Sequence, residues 1–329
     1  MSTASGIGSM PGTEDGDYAE AVRTVLGELP DLPFVPEMPG RGVHAGMTGR
    51  GLAVMAGLAA DLQPAGWRLT DHSGADHRRA RSLLAQDLDT VEEHAQGFRG
   101  TFKTQLVGPW TLAATVEKPR GDKLLSDHGA RRELAQGLAE GIRVHLADLR
   151  RRVRDVERWI VQVDEPALAS VIGGKVPTAS GFGRHRRVDL PEASAHLEWV
   201  VQAIVEAGGE AWVHSCAPET PWSLIAGAGA TGLSADLSVL GAGDFDVFGE
   251  AVEAGHTVAL GVVPSTEPAT SPSDAPVTER VQRWLDMLGL DPEVAAQHLV
   301  ITPTCGLAGA GRDWSRQALV LSRTVAANL

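Results

Sequence analysis

The chain has little cysteine: two in 329 residues, Cys216 and Cys305. Two cysteines do not make a disulfide framework, and nothing in the sequence points to an oxidising compartment. Long apolar runs are missing as well, since none reaches the ~20 residues needed to span a bilayer. The opening MSTASGIGSMPG has neither the basic nor the apolar region of a secretory leader, so a cytoplasmic protein with no membrane attachment is expected. Positive charge is in deficit: 29 Lys and Arg against 42 Asp and Glu give a formal net charge of −13. That argues against a nucleic-acid-binding surface, which needs clustered Lys and Arg. The basic stretches Arg131-Arg132 and Arg150–Arg158 are interleaved with acids among helix-forming residues and read as solvated helix faces. There is no repeat of solenoid length and no low-complexity tail.

What is present is a series of short apolar runs, each followed by a turn and a helical pattern. The runs are Ala4–Ser9, Pro33–Glu37, Gly100–Val107, Trp159–Asp164, Glu210–Cys216, Gly232–Asp236, Thr257–Val263 and Leu299–Thr302. The periodicity predicts helices over Asp17–Leu29, Gly51–Leu62, Ala75–Gln96, Asp127–Glu157, Pro191–Ala207, Trp222–Ala226, Asp244–Ala254, Val277–Leu288 and Asp313–Ala327, with Asp313 as an N-cap. A small excursion is expected at Trp67–Thr70, and long loops at Gly173–Arg187 and Pro264–Pro276. Eight runs alternating with helices argue for an α/β protein, a single (β/α)8 TIM barrel over residues 1–329. A doubly wound open sheet is the runner-up, weakened because no GxGxxG follows the first run.

The polar residues fall at the ends of those runs. Ser9, Glu37, Asp164, His214, Cys216, Asp236 and Cys305 all lie at or just past a strand C-terminus, the face on which barrel active sites are built. In EAWVHSC, strand alternation points His214 and Cys216 the same way. Together with Cys305 and Asp236 they make an N/S/S/O set of the kind that holds tetrahedral zinc. The plainer reading stands beside it: two reduced core cysteines and a hydrogen-bonded strand-end histidine. Zinc held by two thiolates activates water poorly but holds a third thiolate well, so this ligand type points to alkyl transfer to sulfur rather than hydrolysis. Asp164-Glu165-Pro166 at a barrel mouth reads either as a carboxylate for an amino group or as a helix cap, and Glu37 has the same two readings.

With these residues in place, the chain resembles the catalytic C-terminal domain of cobalamin-independent methionine synthase. The matching segments are GIGSMPG (Gly6–Gly12), VPEMPGR (Val35–Arg41), LVGPWT (Leu106–Thr111), VQVDEPAL (Val161–Leu168), HSC (His214–Cys216) and TPTCGL (Thr302–Leu307), followed by WSRQAL (Trp314–Leu319). They run in the family's order along nearly the whole chain. The resemblance implies a zinc-dependent methyltransferase that makes methionine from homocysteine on a TIM barrel. It implies Zn2+ at His214, Cys216 and Cys305, with Asp236 where the family has glutamate. It also implies homocysteine contacts at Ile7, Gly8 and Ser9 for the carboxylate and at Glu37 and Asp164 for the ammonium.

The departures all concern the methyl donor. Thr115 stands at the position of a folate-contacting tryptophan, and Ser170 at that of a glutamate. Pro264-Ser265-Thr266 replaces the catalytic histidine. The family's second, N-terminal barrel has no room in 329 residues. The expectation is therefore a retained thiol acceptor with an altered donor, either methyl-folate or a methyl-corrinoid, the latter on a corrinoid protein. The alternatives are transfer to another small thiol or a non-catalytic zinc-binding barrel. A decarboxylase on the related porphyrinogen-binding barrel, needing no zinc, is more remote.

Overall fold

Parallel strands buried on both faces need helices on one side and a filled interior on the other, and the alternating pattern supplies both. The computed structural model describes residues 2–329. Strand β1 (Thr3–Ala4) leads to α1 (Asp15–Glu28) and α2 (Met47–Val54). A hairpin of β2 (Ala59–Gln63) and β3 (Gly66–Thr70) precedes α3 (Ala75–His94). Then come β4 (Gly100–Val107), α4 (Pro109–Thr115), α5 (His128–Arg152), β5 (Val156–Asp164), α6 (Leu168–Ile172) and α7 (Leu190–Glu206). The second half runs β6 (Glu210–Ser215), α8 (Trp222–Gly227), β7 (Gly232–Asp236), α9 (Ala242–Glu253), β8 (Thr257–Val263), α10 (Asp274–Leu288), α11 (Pro292–Ala295), β9 (Leu299–Pro303) and α12 (Arg312–Ala327).

Seven of these strands form one curled parallel sheet in the order β1-β9-β8-β7-β6-β5-β4. The expected second strand, Pro33–Glu37, does not join it as a strand. It makes single parallel bridges, Phe34 to Lys103 on one side and Glu37 to Ser9 on the other. Pro33 and Pro36 have no N–H to donate, so a regular ladder through this segment is interrupted twice. The first run also pairs over less than expected, Thr3–Ala4 rather than through Ser9. The helix expected over Gly51–Leu62 stops at Val54. Its tail becomes β2, antiparallel to β3 with Gln63 opposite Gly66, so Pro64-Ala65 form the tight turn. At the last helix the N-cap is Gly311, and Asp313 lies in the first turn, where its charge faces the positive end of the helix dipole. Asp127 does cap α5, accepting from Ala130 N at 2.9 Å.

Outward-facing strand residues such as Val161, Val163, Val213 and Leu260 pack with the helices in one large apolar cluster. The inner face has its own small cluster: Leu32, Ile160, Trp212, Ala259 and Val300. Two residues further along the same strands the inner face turns polar, with Gln162 after Ile160, His214 after Trp212 and Thr302 after Val300, as alternation requires. The sheet therefore carries an apolar plug towards its N-terminal end and a polar layer towards the mouth.

Glu165 fixes the mouth. It is fully buried and accepts three hydrogen bonds, from Trp110 N (2.8 Å), Thr111 N (2.8 Å) and Thr111 Oγ1 (2.7 Å). Burial raises its pKa to about 7, with these three donors opposing the shift. The residue after β5 thus ties that strand to the first turn of α4, so the helix-capping reading of the DEP triplet belongs to Glu165. Glu165→Gln would turn an amide NH2 towards donors. It should lower stability by about 2 kcal/mol, the usual cost of an unsatisfied buried polar group, read as a shifted urea midpoint with unchanged m-value.

Candidate functional site

His214 sits near the end of β6, 4% exposed, with Nδ1 3.1 Å from Ser234 O and 3.0 Å from Ser234 Oγ. A carbonyl oxygen only accepts, so it places the proton on Nδ1. Nε2 is then left with a lone pair. Nε2 is buried and has no hydrogen-bond partner. The sulfurs lie beside it: Cys216 Sγ is 2.9 Å from Cys305 Sγ, and the ligand atoms of His214, Cys216 and Cys305 all lie within 4.8 Å of one another. Both cysteines are free. The hydrogen bond between them draws the Cys305 thiol down to about 4 and pushes that of Cys216 up, so the pair shares one proton.

Cys305 is held by its neighbours on both sides. Thr304 N donates to Val263 O (2.8 Å) and Leu307 N to Ser9 O (2.8 Å). Gly306 allows the loop to lie against Ser9, since a Cβ there would stand 2.1 Å from Ser9 Oγ. The expected fourth ligand is not drawn in. Asp236, at the end of β7, is half-buried, and its Oδ1 accepts from Ser238 N at 2.7 Å. An unpartnered imidazole nitrogen facing two thiol sulfurs is a donor set that fits zinc.

The residues expected to take the acceptor's amino-acid end sit on the polar layer. Gly8 has φ +154°, and a Cβ there would meet the Gln105 side chain at 2.5 Å. Ile7 O accepts from both Lys103 Nζ and Gln162 Nε2, each at 2.9 Å. Glu37, 6% exposed, lies 3.3 Å from Arg50 Nε. Arg50 also bonds Asp87 at 2.7 Å, and Asp87 takes Arg41 at 2.7 Å. Asp164, 5% exposed, accepts from Gln162 Nε2 at 2.7 Å. Burial raises its pKa to about 7 and lowers that of Lys103 to about 7.

Lys103, Gln162, Arg50 and Asp87 were not singled out in the sequence. The signal for Lys103 was available: a charged residue inside a run otherwise read as a buried strand. For Arg50 and Asp87 no local signal exists, because helix spacing does not reveal which polar residue turns inward.

On the donor side, Thr115 is exposed at the end of α4, its hydroxyl bonded to Thr111 O at 2.8 Å. Ser265 N donates to Thr304 Oγ1 at 3.2 Å, and Glu267 is exposed. Two other histidines, His256 and His185, lie outside the cluster. His256 precedes β8, at the opposite end of the sheet. His185 is buried, with Nε2 3.0 Å from Asp122.

No helix among the described residues is long and apolar enough to cross a membrane. A search of curated proteins found no match. Among solved structures, the chain is similar to a B12-independent methionine synthase from Shewanella sp. W3-18-1 in complex with selenomethionine. The identity is 14% and the TM-score 0.63, covering 99% of this chain and 96% of that one. It is also similar to GH5_18 from Streptomyces cattleya in complex with GlcNAc, at 15% identity and a TM-score of 0.47, covering 99% of this chain and 79% of that one. The first likeness is one of fold. Residues 103–328 match the family model of the cobalamin-independent synthase catalytic domain. That segment runs from within β4 to α12 and includes the His214, Cys216 and Cys305 cluster, and the chain belongs to that family.

Proposed function

We propose that the chain is a methyltransferase that transfers a methyl group to the thiol of homocysteine, forming methionine, on one catalytic barrel in which Phe34–Glu37 serves as the eighth stave. The observation that carries this reading is the buried, unpartnered His214 Nε2 beside the Cys216–Cys305 sulfur pair, in a chain of this family. His214, Cys216 and Cys305 would hold zinc. Asp236, at the end of β7, would complete the set as fourth ligand. Zinc supplies a lowered thiol pKa and hence a sulfur nucleophile at neutral pH.

The chain's own residues do the rest. Ile7, Gly8 and Ser9 receive the carboxylate end of the acceptor. Asp164 and Glu37 receive the ammonium. The apolar plug closes the inner end of the pocket, and Glu165 keeps Asp164 and α4 in fixed relation. Protein purified without chelator should contain about one zinc per chain, the stoichiometry of a single site. Cys305→Ser should lose most of that metal and Asp236→Ala less of it, both measured by elemental analysis. Full zinc retention in Cys305→Ser would refute the ligand assignment.

The donor follows from what is missing at the mouth. Thr115 offers no flat ring for a pterin, and such stacking contributes on the order of 1 kcal/mol. Ser170 offers no carboxylate. Pro264-Ser265-Thr266 offers no general acid, whose contribution is typically roughly 10²–10⁴-fold, and His185 stands buried beside Asp122, outside the cluster. A methyl-corrinoid needs no protonated leaving group. Methyl transfer to homocysteine should therefore run faster from methylcobalamin than from methyl-tetrahydrofolate. Comparable folate turnover would show that another group supplies the proton. Activity only with a different thiol would move the acceptor, and none with any donor would leave a binding barrel.

A further inference from the structure

Lys103 is 1% exposed on the inner face of β4, level with Ile160 of the apolar plug. Its ammonium donates to Ile7 O and to Gln162 Oε1, both at 2.9 Å, and lies 5.4 Å from the centroid of the Phe34 ring. An ammonium has no acceptor, so Gln162 must offer it the carbonyl end of its amide. The NH2 end is thereby forced the other way, onto Ile7 O at 2.9 Å and Asp164 Oδ1 at 2.7 Å. Gln162 is itself 1% exposed and cannot exchange these partners for water. Glu37 has Arg50 as its cation, whereas Asp164 has no ion-pair partner among the described residues. The single side-chain donor on Asp164 is the Gln162 amide, and the far end of that amide is anchored by Lys103.

We propose that Lys103 is a positioning residue for the amino end of the acceptor: through Gln162 it fixes the Asp164 carboxylate and the Ile7 carbonyl, so that Asp164 keeps its second oxygen for an incoming ammonium. This rests on the reading of the pocket as an amino-acid thiol site. Without Lys103 the Gln162 Oε1 is left buried with no donor and Ile7 O keeps one donor instead of two, so the amide that bonds Asp164 loses its anchor at the far end. A fault of this kind weakens binding of the amino group and leaves the thiol end alone.

The test is calorimetric binding to the zinc-loaded full chain of two thiols that differ in the amino group, L-homocysteine and 4-mercaptobutanoate. Wild type should prefer homocysteine. Lys103→Met should lose about tenfold in affinity for homocysteine, equivalent to ~1.4 kcal/mol, and change little towards 4-mercaptobutanoate, with zinc content unchanged. Gln162→Met should give the same selective loss, and it carries the test if Lys103→Met does not fold. A wild-type preference that survives in both variants overturns the role of Lys103 and leaves the acceptor reading intact. Equal losses for both thiols also overturn it, since they mark a general loss of structure. A wild type that binds neither thiol overturns the acceptor reading and this inference with it.

Discussion

A charged group placed inside a sheet must be paired there, because burial strips it of water and leaves no other partner. The mouth of this protein is organised by that requirement. Lys103, Gln162 and Asp164 form one chain of hydrogen bonds, and Glu37, Arg50, Asp87 and Arg41 form a second, of ion pairs. Between them they hold both carboxylates proposed for the acceptor and, through the Ile7 carbonyl, the Gly6–Ser9 segment. The apolar plug beneath matters for the same reason. It keeps water from the inner end of the sheet, so these polar groups can find only one another. His214 obeys the same rule on one nitrogen alone: Nδ1 is satisfied by Ser234, and Nε2 is not. A buried imidazole satisfied on one nitrogen and open on the other, beside two sulfurs, reads as a site shaped for a ligand.

Much of the sheet was legible in the sequence because strand alternation and strand ends are local properties. The HSC triplet needed only the period of two to place His214 and Cys216 on one face. The later strands fell close to their expected bounds, since each is a short, mostly apolar run closed by a turn. The failures have equally physical causes. Phe34–Glu37 reads as a strand by composition, yet Pro33 and Pro36 deny it the donors a ladder needs. Ala59–Gln63 reads as the end of a helix by its Ala and Leu content. Pro64 and the tight turn to Gly66 make it a hairpin instead.

The polar layer was only half legible. Asp164 stands at a strand end beside a proline and announces itself, while Arg50 and Asp87 lie within helical patterns that show an ordinary amphipathic face. Their meeting with Glu37 is created by the packing of α2 and α3 against the sheet, which no short window contains. Lys103 falls between these cases. Its place in an apolar run marks it as unusual, but its partners Ile7 and Gln162 are 96 and 59 residues away.

The two sides of the mouth differ in how tightly they are specified, and that difference bears on the donor. On the acceptor side Glu37 is held by Arg50 of α2, Asp164 by Gln162 two residues before it, and Gln162 by Lys103 of β4, so their positions are set by the sheet and the helix packed on it. On the donor side the polar groups are fewer and bond outside the sheet. Thr115 is exposed and turns back onto its own helix, and Ser265 bonds Thr304 of the neighbouring loop. A small planar donor bound directly by the chain would need preorganised contacts on this side, because a flexible surface loses in ordering entropy what it gains in contact. A donor that brings its own structure needs fewer of them. The uneven specification of the mouth therefore agrees with a chain that has kept a precise grip on the thiol and delegates the placing of the methyl group to whatever carries it.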